Sequence, residues 1–434
     1  MLFRSDLGYG DLGCYGQKVV QTPNLDKLAA GGLRFTDCYA GSTVCGPSRC
    51  CLMTGLHTGH ARVRGNGDLP LRPQDVTIAK VLQQAGYETF GVGKWGLGDL
   101  GSTGLPGKQG FDHWFGYLNH KHAHNYYPDV LYRGDGEPVR FPGNVVEGGV
   151  ASKKADYAPD LMLREATAVL DRPHEKPFFL FFASTLPHAN NEAGRERGDG
   201  MEIPDHGPYA REPWPAPARG RAAMITRLDA DVGKILAKLR ERGLLENTVL
   251  FFTSDNGPHQ EGGSFVEFFD SNGNLRGWKR DLYEGGIRAP LIVSWPGRTP
   301  AGRTTDLPVA FWDFLPTAAE LAGAKGPERL DGRSFLPTIR GEKQQLPDRF
   351  YWEFHERGFS QATRLGKWKA VRNGSPASPI EVYDLSADPS ERRNIAADHP
   401  EIVEKASRFL EQARTASDDW PIRPTGRPRK RPGA

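Results

Sequence analysis

The sequence predicts an α/β protein: a large mixed, mostly parallel sheet sandwiched by helices, then a smaller α+β unit made of an antiparallel sheet and one helix. Three observations carry this expectation. Helix-like stretches alternate with short continuous apolar runs, the pattern of parallel strands buried on both faces. A polar turn, Ser254-Asp255-Asn256-Gly257, follows one such run at its C-terminal end, where open α/β sheets place ligands. Around residues 341–349 the texture becomes polar, and the strands beyond it are short and aromatic.

The elements follow in order. Thr22–Gly31 carries Leu25 and Leu28 at helical spacing and stops at Gly31-Gly32. Thr77–Ala85 repeats the pattern with Ile78, Val81 and Leu82 and closes at Gly86, ahead of a short strand at Tyr87–Val92. Asp160–Leu170 reads as a helix and Pro177–Ala183 as a buried strand. Ala222–Arg242 is a long amphipathic helix ending at Gly243, followed by strands at Thr248–Thr253 and Pro290–Ser294. Short strands at Phe350–Phe354, Trp368–Val371 and Val382–Leu385 and a helix at Pro400–Thr415 complete the chain. The expected division is 1–345 for the large unit, 346–418 for the small one and 419–434 for a basic Pro/Arg-rich tail without order.

Composition narrows the function. The 434 residues hold 56 Lys+Arg and 53 Asp+Glu, a net charge of +3. Arg423, Arg427, Arg429, Lys430 and Arg431 all lie near the C-terminus, so the remainder is close to neutral. No nucleic-acid partner is expected from such a balance, and the apolar runs are too short for a membrane partner. The cysteines, Cys14, Cys38, Cys45, Cys50 and Cys51, are odd in number and crowd the first 51 residues. A disulfide framework would be even and spread, so a chemical task for one of these thiols is expected.

That task falls to Cys45. Val44-Cys45-Gly46-Pro47-Ser48-Arg49-Cys50-Cys51-Leu52-Met53-Thr54-Gly55 fits C-x-P-S-R-x-x-x-x-T-G. This segment resembles the signature of the type I, formylglycine-dependent sulfatases, arylsulfatase-like members of the alkaline phosphatase superfamily that include bacterial polysaccharide sulfatases. The resemblance implies that Cys45 is oxidised to formylglycine by a formylglycine-generating enzyme, guided by Pro47 and Arg49. The local physics agrees. Pro47 suits the start of a helix, a helix start offers free N–H groups to an anion, and Arg49 can neutralise charge there. Cys50 and Cys51, further along, are expected to be packing thiols.

The resemblance continues from about residue 6 to about residue 415. Asp6-Leu7-Gly8-Tyr9-Gly10-Asp11 is similar to the family's first metal loop, and Ser254-Asp255-Asn256-Gly257 to its second. Gly91-Val92-Gly93-Lys94-Trp95 and Lys279 match its two sulfate-contacting lysines, and Leu186-Pro187-His188 its substrate-facing His. Tyr383-Asp384-Leu385 resembles its C-terminal signature. The implied catalytic set is therefore Cys45, Arg49, Lys94, His188 and Lys279. The implied metal is one Ca²⁺ per chain, held by Asp6, Asp255, Asn256 and residue 45, and hard oxygen donors suit Ca²⁺ better than zinc. The implied fold is alkaline-phosphatase-like and the implied substrate a sulfated sugar or polysaccharide, with hydrolysis of its sulfate ester. A phosphonate monoester or phosphodiester hydrolase of the same superfamily is the alternative activity; an impaired or truncated sulfatase-like protein is the third reading. Family members are periplasmic or secreted, but this sequence carries no signal peptide.

Two departures from the family pattern stand out. Ser5 takes the place of the first acid of the metal loop, and Met1–Arg4 leaves no room for the apolar strand before it, so the N-terminal strand is expected to be missing. Gly96 takes the place of a His that follows Lys-Trp in relatives and contacts the modified Cys. The segment His120-Lys121-His122-Ala123-His124 comes soon after, and His122 and His124 are expected to read the sugar or supply the absent imidazole. No Cys or acid at suitable spacing completes a zinc site in that segment.

Overall fold

Leu2 and Phe3 enter different cores, and that alternation runs through the whole central sheet. In the computed structural model, which describes residues 1–345 and 349–422, Leu2, Phe182, Phe252 and Ile292 join one apolar cluster. Phe3, Phe181, Leu291 and Val293 join the other. Successive strand residues point to opposite faces, so a sheet apolar on both faces must be covered on both. Helices Pro23–Ala30, Ala158–Asp171 and Ala216–Glu241 cover the Leu2 face. Helices Cys45–Thr54, Ile78–Gln84 and Phe314–Leu321 cover the Phe3 face.

Among the described residues the sheet has eleven strands. Its centre is parallel and runs Leu250–Ser254, Leu2–Arg4, Phe178–Ala183, Glu88–Lys94 and His113–Tyr117. Antiparallel pairings flank it, through Arg288–Ser294 and then Leu33–Tyr39 on one side and Val130–Arg133 and then Glu137–Arg140 on the other. The sheet is thus mixed and mostly parallel at its core, as expected.

The expectation of a missing N-terminal strand is corrected. Leu2–Arg4 is a strand, and it lies at the middle of the sheet. Leu2, Phe3 and Arg4 register with Phe252, Thr253 and Ser254 on one side, and Leu2 and Phe3 with Phe182 and Ala183 on the other. Arg4 hides the strand from a hydropathy reading. Its guanidinium is buried between the Phe182 and Phe252 rings, 4.9 and 5.6 Å from their centroids, where cation–π attraction offsets part of the desolvation.

The smaller sheet runs Arg349–Phe354, Ser360–Leu365, Trp368–Arg372 and Ile380–Asp384, all antiparallel, with helix Pro400–Gln412 against it through Ala406 and Leu410. It is fastened to the large sheet by buried polar contacts. Trp352 Nε1 donates to Ala40 O at 2.9 Å, and Lys369 Nζ pairs with Glu284 at 2.8 Å. Residues 346–348 and 423–434, where the small unit was expected to begin and most of the basic tail to lie, are outside the described residues. The start of the expected disordered tail is corrected: Trp420 is buried and its Nε1 donates to Arg62 O at 3.0 Å. No helix among the described residues is long and apolar enough to cross a membrane.

Candidate active site

Four of the five parallel strands deliver a polar residue at or just beyond their C-terminal ends. Ser5-Asp6 follows Arg4, Asp255-Asn256 follows Ser254, Lys94 ends its own strand, and His188 follows Ala183 by one short turn. Backbone pairing carries these ends together: Asp255 N–H donates to Arg4 O at 2.9 Å. The pocket therefore forms outside the carboxyl edge of the sheet, at the place open α/β sheets bind ligands.

Cys45 begins the helix Cys45–Thr54, whose ten residues are all buried and which Gly55 ends in the left-handed region at φ +70°. The polar side chains of this helix are fastened to the pocket. Ser48 Oγ donates to Asp255 O, and Gly46 N–H donates to Asn66 Oδ1 at 2.9 Å. Arg49 extends across the floor. Its Nη2 donates to Asp255 Oδ2 at 3.0 Å and to Ser5 Oγ at 2.9 Å, its Nη1 to Lys94 O at 2.5 Å, and its plane lies over the Phe3 ring. Ser5 Oγ in turn donates to Asp255 Oδ2 at 3.3 Å.

Asp6 is the hub of the opposite wall. It is buried at φ +60°, a left-handed conformation that Asp tolerates better than most residues. Its N–H donates to Asp255 Oδ1 at 3.0 Å, and Asn256 Nδ2 donates to its Oδ1 at 2.6 Å. Lys279 Nζ lies 2.8 Å from its Oδ2 and His188 Nε2 3.3 Å from the same oxygen. Burial pushes the Asp6 carboxyl up, but Lys279, His188 and His259 outweigh it and hold it well below the usual carboxylate range. Burial opposes the charge on Lys279, yet Asp6 and Glu261 raise its pKa further, so it is a firm cation. Arg280, at φ +81°, is anchored by its N–H to Thr43 Oγ1 at 2.8 Å, which ties the Lys279 loop to the approach of the Cys45 helix.

The Cys45 thiol is 2% exposed, and burial together with Asp255 pushes its pKa up to about 11. A thiol at that value is protonated at neutral pH and is a poor nucleophile, since reactivity belongs to the thiolate. Cys50 and Cys51 are fully buried, as expected of packing thiols.

His188 donates from Nδ1 to Ala189 O at 2.6 Å in the tautomer those partners favour, which turns Nε2 toward Lys279 and Asp6. Burial and the Lys279 charge hold the His188 ring well below its ordinary pKa. His124 stacks on His188 at 4.9 Å and pairs with Glu192 at 2.9 Å, so it borders the pocket. His122 instead meets the rings of Tyr117 and Tyr132, apart from the group around Asp6.

Asp6, Cys45 and His188 bring potential ligand atoms within 4.8 Å of one another. Asn256 Oδ1 is buried without a hydrogen-bond partner beside this group. A buried carbonyl oxygen left without a partner is a donor that a hard cation satisfies, and Asp6 and Asp255 offer carboxylate oxygens in the same network.

Sequence reasoning missed Glu261, which pairs with Lys279 at 2.8 Å and Arg280 at 2.6 Å, and His120, which lies beside Gly46 and Gly96. Glu261 sits in a Gly-rich loop with no local signal. His120 belongs to the His segment that sequence reasoning did single out, but in that segment only the fold distinguishes one ring from another.

Comparison with known proteins follows this geometry. Residues 3–324 match the sulfatase family, and residues 276–416 match the C-terminal family of N-sulphoglucosamine sulphohydrolase. The chain is 34% identical to arylsulfatase A of Homo sapiens, across 93% of this chain and 85% of that protein. It is 31% identical to N-acetylgalactosamine-6-O-sulfatase of Bacteroides thetaiotaomicron, across 95% and 92% respectively. The crystal structure of Ps i-CgsB in complex with k-i-k-neocarrahexaose superposes with a TM-score of 0.80 at 29% identity, across 95% of this chain and 91% of that one.

Proposed function

The chain belongs to the sulfatase family and is a sulfuric ester hydrolase, and we propose that it removes sulfate from a sulfated carbohydrate with Cys45 matured to formylglycine and one bound Ca²⁺. The observation that carries this reading is the placement of Cys45. A protonated, unreactive thiol stands at a buried helix N-terminus and faces a cluster of fixed cations and carboxylates. Formylglycine would supply the hydroxyl nucleophile that the thiol does not, and Ca²⁺ would polarise a sulfate oxygen. Asp6, Asp255, Asn256 and the side chain at position 45 would hold the ion.

The chain's own residues do the remainder. The helix N-terminus and Arg49, Lys94 and Lys279 balance the negative charge of a sulfuryl group, an electrostatic role fixed before substrate arrives. Glu261 and Asp6 keep Lys279 charged and in place. His124 and His188, stacked at the pocket wall, are positioned toward the sugar. In this reading residues 1–345 carry the chemistry and 346–418 brace it. Maturation calls on a formylglycine-generating enzyme. The relatives' periplasmic or secreted setting is the expected one.

The test is a set of paired rates. Arylsulfates and a panel of sulfated mono- and oligosaccharides are compared with phosphonate monoesters and phosphodiesters. Faster release from sulfate esters, with a sulfated sugar as the best substrate, is expected. Preference for a phosphonate or phosphate ester overturns the reading.

A further inference from the structure

Gly96 and His120 share the space of one side chain. A Cβ added to Gly96, whose φ is +81°, would lie 2.2 Å from His120 Cε1 and 2.7 Å from Nε2. A Cβ added to Gly46 would lie 3.1 Å from the same Nε2. The imidazole therefore fills the gap between the turn after Trp95 and the first turn of the Cys45 helix, and glycine at 96 is what leaves room for it. Strand pairing sets the two positions side by side: Trp95 N–H donates to Tyr117 O at 3.0 Å and Gly96 N–H to Leu118 O at 2.8 Å.

Both ring nitrogens of His120 are shielded from solvent, and neither has a partner in hydrogen-bonding geometry. The Gly96 main chain is near enough to favour a protonated ring, but burial and the charges of Lys94 and Arg49 outweigh it and hold the ring neutral, well below its ordinary pKa. A neutral ring offers one donor and one acceptor. Leaving both idle in a shielded site costs free energy, and such groups call for an explanation. Its neighbours differ: His124 is paired with Glu192, and His188 with Ala189 O.

We infer that His120 is a positioning residue whose Nε2 hydrogen-bonds to the oxygen-bearing side chain that replaces the Cys45 thiol on maturation, with Gly96 as the residue that admits the ring. The inference rests on the formylglycine reading above. It explains why an idle imidazole sits at the start of this one helix. It also assigns the function to His120, not to His122 or His124.

The test uses the full chain expressed with a formylglycine-generating enzyme, as wild type, His120→Ala and His120→Gln. Mass analysis of the peptide bearing residue 45 reports conversion in each. Nitrogen-15 histidine spectra are recorded on wild type before and after conversion, with the His120 lines identified by their loss in His120→Ala. Conversion is expected to move those lines. In converted protein, His120→Ala is expected to lower kcat about 100-fold with KM within about threefold, and His120→Gln to fall between it and wild type. Unmoved His120 lines, or a kcat for converted His120→Ala within about twofold of wild type, overturn the inference alone. A wild-type chain that is never converted removes the formylglycine reading and this inference together.

Discussion

Lys279 Nζ stands 2.8 Å from Asp6 Oδ2, with both side chains buried. The same ammonium lies 2.8 Å from Glu261 Oε2, so one cation balances two carboxylates at the pocket wall. Glu261 keeps Arg280 as a partner at 2.6 Å, but Lys279→Ala leaves the buried Asp6 carboxylate without its ammonium, a loss of about 3–5 kcal/mol for a broken buried pair. Thermal melts in chelator are expected to show that loss, and Ca²⁺ to recover part of it by restoring positive charge beside Asp6. A variant as stable as wild type in chelator contradicts the pairing.

Arg49 is the second buried cation, and its role depends on shape as well as charge. The guanidinium reaches Asp255, Ser5 and the Lys94 carbonyl at once. A lysine at this position offers a single point of charge and cannot span those partners. Arg49→Lys is therefore expected to lose most of the sulfatase rate, at least about 100-fold, although the net charge is unchanged. Steady-state kinetics on an arylsulfate checks this; a rate within a few-fold of wild type, about threefold or less, counts against the geometry.

Ser5 lies next to Asp6 and bonds to Asp255, two of the residues proposed to hold Ca²⁺. Its hydroxyl accepts from Arg49 and donates to Asp255, in a place where a carboxylate would add charge toward a cation. Ca²⁺ affinity rises with ligand charge, so Ser5→Asp is expected to tighten binding by on the order of tenfold. Calorimetric titration reads this directly. Equal affinity in the two chains would place the ion away from Ser5.

Asp313 gives the protein a pH signature outside the pocket. Burial pushes its carboxyl from 3.8 up to about 7, against the pull of the Ala310 and Arg333 N–H donors at 2.7 and 2.9 Å. The folded state thus holds this proton more tightly than the unfolded chain does. Its contribution is complete below about pH 4 and is lost as pH rises through about 7, a change of about 4 kcal/mol. Denaturant unfolding between pH 5 and 8 should show the decline, and Asp313→Asn, which cannot ionise, should flatten it. A slope untouched by Asp313→Asn assigns the decline to another group.

What the sequence makes legible is what lies contiguous in it. Cys45, Pro47 and Arg49 share one helix turn, and Asp255-Asn256 follows a run of apolar strand residues, so local pattern reveals both. The buried strand Phe178–Ala183 and the long helix Ala216–Glu241 are equally plain, because their apolar spacing is uninterrupted. The Leu2–Arg4 strand is not, since it is three residues long and ends in an arginine whose burial depends on two phenylalanines far along the chain. Ser360–Leu365 is missed for a related reason. All six residues are buried, but Gln361 and Arg364 are satisfied by Tyr351, Leu410 and Asp37, partners that a hydropathy pattern does not reveal. Glu261 and His120 reach the pocket on loops, and long-range packing alone sets where their side chains point.

The measurement that tests the central claim most directly is the mass of the peptide bearing residue 45, taken from active protein and set beside the sulfate-releasing rate of the same sample. The account predicts an aldehyde or its hydrate in place of the Cys45 thiol, activity in proportion to the converted fraction, and none in Cys45→Ala. Sulfate release by a chain whose Cys45 remains an unmodified thiol would contradict it.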